Sequence, residues 1–483
     1  MAAHPSLKSY DYLLLALVLM VLLAIAFLLP VTPQDYWWYM RIGKDTLASG
    51  AVPKVDTLTF TRSGTPVVYQ SWGAAVLFWL LYQAGGLSLT VLARGLLLGL
   101  TFFLLWWSAR GMGAGRMASV LALLLAVLAS SNNWSVRPQL IAYPLFALSL
   151  FILLRWQAGG RKIVFFLPLV GLLWVNLHGS FILLILLEAA ALAFGRGDRR
   201  TLALAAAGTL LATLINPDGF GAWIYVYHSL TVPSSQLFSA EWQPPVNTGW
   251  QMNLFFLTLL GFPLLAAFSP RRLTLLEWSW VLGFGFLALW GERYVIWFLF
   301  LLAVMIPLLL AGLGVKAASL QATKPPAPDH PLPNASLALL VVLVPLLLLP
   351  GVRTRWWASA PPATEDTPSA ATAWLAAHPN LPGPLWSEIG FSSYLEFALP
   401  GRPTWIDTRF EVFPVAQWQA YQAISEARFD WVALLQASGA HLVMISISEQ
   451  PELVKALAGS PSWCRLYQDG VAVIYSSGPC GAR

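Results

Sequence analysis

The chain has 483 residues, of which 58% are hydrophobic and only 10% charged, and its mean hydropathy is +0.66. An ordinary soluble domain carries about 45–50% apolar and about 25% charged residues, so this balance excludes a water-soluble globule and points to a polytopic membrane protein. The net charge of +6 is small for the length and gives no reason to expect a nucleic-acid partner. Lys and Arg read instead as topology signals, and the 24 tryptophans suit interfacial aromatic belts.

A bilayer-spanning helix needs about 20 mostly apolar residues. The first such run covers 12–30. It is too long and too apolar for a cleaved leader, and no A-x-A site follows it. The stretch 31–86 is a first outer loop, polar and aromatic, with Asp35, Asp45 and Asp56 in it. Inside that loop 73–84 is apolar but short and ends at Gly85-Gly86, which predicts an interfacial helix rather than a span. Further spans are read near 87–108, 117–130, 139–155, 163–177, 179–195, 201–215, 252–268, 275–290, 294–313 and 336–350, making about 11 with the first.

Positive charge orients the series. With the N-terminus cytoplasmic, the inside loops hold Arg110 and Arg116; Arg155, Arg161 and Lys162; Arg196, Arg199 and Arg200; Arg271 and Arg272; and Lys316 and Lys324. The outside loops hold single polar residues among aromatics: Asp35, Arg137, His178, Asn216, Asp218, Glu241 and the pair Glu292-Arg293. Ionisable groups at the edge of lipid are costly and mark functional paths by default. The spans form a membrane domain over 1–350. A Pro-rich linker at 351–366 follows, and 367–483 is a small extracytoplasmic α/β domain. In that tail 368–378, 415–436 and 450–458 read as helical, and 383–387, 403–407, 441–446 and 471–476 as strands. Its two cysteines, Cys464 and Cys480, pair if the tail lies in an oxidising compartment; two free thiols fit the sequence equally well.

Asp35, in Thr32-Pro-Gln-Asp-Tyr-Trp-Trp, follows the first span by a few residues. It reads either as a general base held at the membrane surface or as the N-cap of an amphipathic helix. Asp56, after Pro53, is the second carboxylate of interest, or a turn residue. No H-E-x-x-H, G-x-S-x-G, Walker A or C-x-x-C pattern occurs, and no D-x-D lies in the first outer loop, so a divalent metal is possible but not indicated.

A long first span with an acidic residue at the start of a large outer loop resembles the GT-C glycosyltransferases. So does the series Asp35-Tyr-Trp-Trp, Ile42-Gly43, Gly50, Pro53-x-x-Asp56 and Trp72. Arg137-Pro-Gln, Asn176-Leu-His-Gly179, Asn216-Pro-Asp-Gly219, Glu241-Trp-Gln-Pro-Pro and Trp405-Ile-Asp-Thr-Arg-Phe-Glu411 extend the resemblance to a bacterial branch of that superfamily. Departures lie at Gln70-Ser71, and at Ser392-Ser393 where the branch usually has Gly-Gly. The resemblance implies transfer of a sugar from a polyprenyl-phosphate donor to an extracytoplasmic acceptor, in the plasma membrane. It implies Asp35 as the catalytic residue.

An outer-loop Arg is suited to bidentate phosphate binding, which makes Arg137 and Arg293 donor-phosphate candidates. Arg137 otherwise anchors the interface, and Arg293 otherwise pairs with Glu292. Asp56, His178, Glu241 and Glu292 are candidates for the substrate cleft, with His178 also readable as a structural hairpin residue. Asp407, Arg409 and Glu411 read as an acceptor-lining strand or, preferably, as an ion-paired edge that stabilises the tail domain or docks it on the outer loops. Two other functions fit the composition. A transporter or flippase of a lipid-linked or anionic substrate predicts mid-membrane polar residues and a repeat, and offers mainly Glu188. A non-catalytic membrane scaffold predicts that Asp35 is dispensable.

Overall fold

The structure is a computed structural model that describes residues 8–318, 329–348, 366–381, 383–478 and 480. Lys324, the side chain of Lys316 and all of the 351–366 linker except Asp366 lie outside the described residues. Two compact units emerge. The first comprises Met1–Leu29, Thr90–Gly219 and Ala240–Pro361, and the second Pro30–Leu89, Phe220–Ser239 and Pro362–Arg483.

Among the described residues six helices are long and apolar enough to cross a membrane. They are Ser9–Leu28, Trp72–Gly111, Arg116–Asn133, Pro138–Gln157, Gly249–Phe268 and Glu292–Ala311. Gly179–Phe194, Leu275–Trp290 and Pro331–Leu343 are apolar but shorter. Where spans were expected at 163–177 and 201–215, the helices are Leu167–Leu177 and Arg199–Ala212, of 11 and 14 residues. A 3-10 stretch occupies Arg161–Phe166 before the first; the second starts at the Asp198 cap, two residues earlier than read, and stops at Ala212. The helix from Trp72 is broken at Gly85 and at Gly86 (φ 62°), a backbone conformation that favours glycine, so 72–84 and 87–111 are separate rods.

The first unit is packed with aromatic rings. Phe102, Tyr143, Phe146, Trp297 and Phe300 meet at centroid separations of 5.2–6.3 Å, mostly edge to face, the arrangement the ring quadrupole favours. Two of the buried charges there have clear partners. Arg94 donates to the Ala26 and Leu29 carbonyls, the latter at 2.6 Å, and so satisfies the open C-terminal end of Ser9–Leu28. Asp11, 2% exposed, is held by Arg116 at 2.7 Å and Arg110 at 3.4 Å.

The second unit contains a four-stranded sheet of β1 (Leu385–Ser387), β2 (Leu442–Ser446), β3 (Trp463–Gln468) and β4 (Ala472–Ser477), in the order β1-β2-β4-β3. β1 is parallel to β2, and the other pairs are antiparallel. All five β2 residues are buried, as expected of a strand covered on both faces. Alternation divides the core. Val443, Ile445, Val473 and Tyr475 meet Trp418, Leu435 and Leu453 on one face. Leu442, Met444, Ala472 and Ile474 meet Leu375, Phe391 and Leu395 on the other.

Strands were anticipated at 383–387, 441–446 and 471–476. At 403–407 only Thr404 pairs, in isolated bridges to Thr59 and Leu385. Strand β3 and the helix Ile389–Ala398 were not anticipated. Cys464 and Cys480 form a disulfide across 16 residues. Closing a loop of about 15 residues is worth about 3 kcal/mol in the chain-entropy model. Reduction, or Cys480→Ser, is therefore expected to lower the unfolding midpoint, read by denaturant titration of the full chain with and without a thiol.

Candidate functional site

Each unit carries a polar cluster, and each is built differently. In the second, the first apolar helix is followed by the helix Tyr36–Ser49, with Asp35 in its N-cap position. The helix ends at Gly50 in the left-handed region (φ 69°). Its tryptophans face inward, Trp37 at 3% and Trp38 at 6% exposure, whereas Asp35 is half-buried. The Asp35 side chain makes no capping hydrogen bond, which the alternative reading of this residue requires. The positive end of the helix dipole favours a carboxylate at that position.

Asp56 has a closed environment. Its carboxylate accepts from Thr59 Oγ1 at 2.7 Å and the Thr59 N–H at 3.2 Å. It also pairs with Arg409 Nη1 at 2.7 Å. The other edge of the Arg409 fork lies on Asp407, with Nε at 2.9–3.0 Å from both oxygens. Tyr69 Oη accepts from Arg409 at 3.0 Å, and the guanidinium lies 5.8 Å from the Trp38 and Tyr69 ring centroids. Burial pushes the Asp56 carboxyl up, but Arg409 outweighs it and the group sits below its ordinary value. Glu396, 2% exposed, is pushed well above the carboxylate range by burial and then by the Asp407 charge, with Arg409 opposing. Asp407 and Arg409 are therefore an ion-paired junction between the tail and the first loop. Glu411 accepts from Tyr225 Oη at 3.0 Å, tying in the Phe220–Ser239 segment.

In the first unit the cluster sits where Pro138–Gln157 begins. Arg137 is the N-cap residue, with Pro138 at the first helical position. Arg137 forms an ion pair with Glu241, which lies on a 3-10 turn, Ala240–Trp242. That turn is fastened to the next by the Glu292 N–H, which donates to the Gln243 carbonyl at 2.9 Å. Glu292 does not pair with Arg293; it accepts from Asn132 Nδ2 at 3.3 Å. The Arg293 guanidinium instead lies 4.3 Å from the Trp242 ring centroid, a cation–π contact.

His178 caps the short turn Gly179–Phe181, its Nδ1 accepting from the Ser180 N–H at 3.1 Å. Desolvation and then the Arg293 charge push this imidazole down to about 3, so it is neutral at physiological pH and carries its proton on Nε2. Arg137, Arg293, His178, Glu241 and Glu292 thus share one unit, and Asp35 and Asp56 the other. Sequence reading did not single out Asn132, Trp242 or Tyr69. Trp242 follows the candidate Glu241, while Asn132 and Tyr69 have no candidate charge beside them in the sequence. Among the described residues no three His, Cys, Asp or Glu side chains converge as a metal-binding group.

No protein-family model matches the chain, and no curated protein matches it in sequence. Solved structures do match in fold. The Archaeoglobus fulgidus oligosaccharyltransferase tethered with an acceptor peptide aligns over 96% of this chain and 74% of its own, with TM-score 0.58 and 13% identity. The arabinofuranosyltransferase AftD from Mycobacteria aligns over 96% and 40%, with TM-score 0.53 and 15% identity. ArnT from Cupriavidus metallidurans aligns over 96% and 98%, with TM-score 0.50 and 16% identity. All three are membrane glycosyltransferases of the GT-C superfamily. This chain has the GT-C fold.

Proposed function

We propose that the protein is a GT-C-type glycosyltransferase. It takes a sugar from a polyprenyl-phosphate donor and passes it to an extracytoplasmic acceptor. The observation that carries this reading is Asp35, half-buried at the start of a helix in the loop after the first apolar helix, with no capping duty, in a chain of GT-C fold. In this reading Asp35 accepts the proton of the acceptor hydroxyl as that oxygen attacks the anomeric carbon. The bond to the carrier phosphate breaks, and its electron pair leaves with the phosphate. The A. fulgidus oligosaccharyltransferase AglB, also alike in fold (TM-score 0.52), has been solved with an inhibitory peptide and a dolichol-phosphate, which supports a lipid-phosphate partner by analogy only.

Arg137 and Arg293 hold the donor phosphate. Arg137 stands at a helix N-terminus, where backbone N–H groups also favour an anion, and Glu241 is the carboxylate a phosphate displaces. Glu292 and the neutral His178 complete the polar lining. Asp56 takes no direct part, since its oxygens are engaged by Thr59 and Arg409. The reading places about 11 spans in the plasma membrane, with the N-terminus cytoplasmic and the tail outside. The alternating basic loops and the tail disulfide support that topology, and no metal is assigned a part.

Membranes containing the protein, supplied with a panel of radiolabelled polyprenyl-phosphate sugars, are expected to release label from lipid, and membranes lacking it are not. No release across the panel would sink the reading in favour of transport. Arg137→Ala is expected to raise the donor KM about tenfold or more, with Arg137→Lys intermediate. Glu241→Gln should change KM in the opposite direction, because it removes the competing carboxylate.

A further inference from the structure

The C-terminal tail and the Asp35 helix are joined within the second unit by contacts that converge on the residues flanking Asp35. A helix leaves its first N–H groups without intrahelical partners, and an Asp in the N-cap position ordinarily takes the N–H two or three residues on. For Asp35 those are Trp37 and Trp38. The Trp37 N–H donates to the Gln34 carbonyl at 3.2 Å. The Trp38 N–H donates instead to Ser393 Oγ, from the tail, at 3.3 Å. The Ser393 hydroxyl in turn donates to the Gln34 carbonyl at 2.6 Å. One fully buried side chain therefore holds the backbone on both sides of Asp35.

The surrounding contacts fix the same segment. Gly390, one turn before Ser393, lies so close that a Cβ there would stand 2.3 Å from the Pro33 carbonyl oxygen. Trp37 meets the Tyr394 ring edge to face at 4.8 Å. Trp38 Nε1 donates to Thr408 Oγ1 at 3.1 Å, and Arg41 donates to the Glu396 carbonyl at 3.0 Å.

We propose that the tail is the positioning element for Asp35 and that Ser393, by capping the helix in its place, keeps the Asp35 carboxylate turned to the chemistry. This rests on Asp35 being the base of the proposed transfer. Ser393 is a positioning residue and touches no reacting atom. Without its hydroxyl the Trp38 N–H becomes an alternative partner for the Asp35 carboxylate, and the base is drawn onto its own helix. A displacement of about 1 Å at a reacting group costs on the order of a hundredfold in rate.

The test uses the full-length protein in membranes and whichever labelled polyprenyl-phosphate sugar the wild type turns over. Ser393→Ala is expected to lower kcat by about tenfold to a hundredfold. The donor KM should stay within about twofold, and amide exchange should quicken in the peptide holding Trp38. In an Asp35→Asn background the same substitution should lower the residual rate no further, because the two act as one unit. Ser393→Thr, which keeps the hydroxyl, should retain more activity than the equally shaped Ser393→Val, a comparison that controls for packing in a buried site.

An unchanged kcat in Ser393→Ala beside an inactive Asp35→Asn overturns the inference and leaves the base assignment standing. The same fold-loss from Ser393→Ala in both backgrounds overturns it too, as does equal activity of the Thr and Val variants. An inactive wild type, or a fully active Asp35→Asn, removes the base itself and the inference with it.

Discussion

Asp35→Asn is expected to abolish sugar transfer, lowering kcat by at least about a hundredfold, the span typical for loss of a general base. The substitution keeps size and shape and removes only the charge and the basicity. Asn is as good an N-cap residue as Asp, so the helix Tyr36–Ser49 retains its start. The position is only half-buried, so no interior packing is lost. Folding should therefore be intact, and the loss should appear in kcat with the donor KM little changed. The measurement follows labelled sugar leaving the lipid carrier in membranes holding matched amounts of each protein, with thermal unfolding recorded for both. Equal rates would remove Asp35 from the mechanism.

The sequence made some of this arrangement legible, and the reason differs from residue to residue. Asp35 was readable because it depends on local order: one long apolar run, then an acid before two tryptophans. The break at Gly85-Gly86 was readable for the same reason, as were the strands β1, β2 and β4. Hydropathy overstated the helix near 163–177, because apolar composition does not register a 3-10 entry. Strand β3 was missed because Trp463–Gln468 mixes exposed and buried positions without a clean alternation.

The pairings over long separations were beyond local pattern. Arg409 lies more than three hundred residues from Asp56 and Tyr69, and nothing in the spacing of either segment names the other. The same holds for Ser393. Only the fold shows its hydroxyl beside Gln34 and Trp38.

Arg409→Met is expected to be the most destabilising single change in the second unit. Arg409 is 2% exposed and holds two carboxylates, Asp56 at 1% and Asp407 at 0%. Methionine fills much of the volume but leaves both acids in the interior without a counter-charge, beside Glu396, which is already pushed upward. Breaking a buried pair by removing one partner typically costs about 3–5 kcal/mol.

The dependence on pH distinguishes this from a packing defect. In the wild type the folded Asp56 carboxyl lies below its ordinary value of about 3.9. Its contribution is thus present above that pH and is lost only as the pH falls through the folded value. In the variant the attraction that held it down is gone, and burial, the largest influence on this group, raises it. A raised carboxyl gives stability below its unfolded value and loses it as the pH rises.

The gap between the two proteins should therefore be widest near neutrality and narrow on acidification toward pH 4. Denaturant unfolding of the full chain, followed by tryptophan fluorescence at several pH values, reads it directly. A gap that stays constant with pH would mean that Arg409 acts through its bulk and not through its charge.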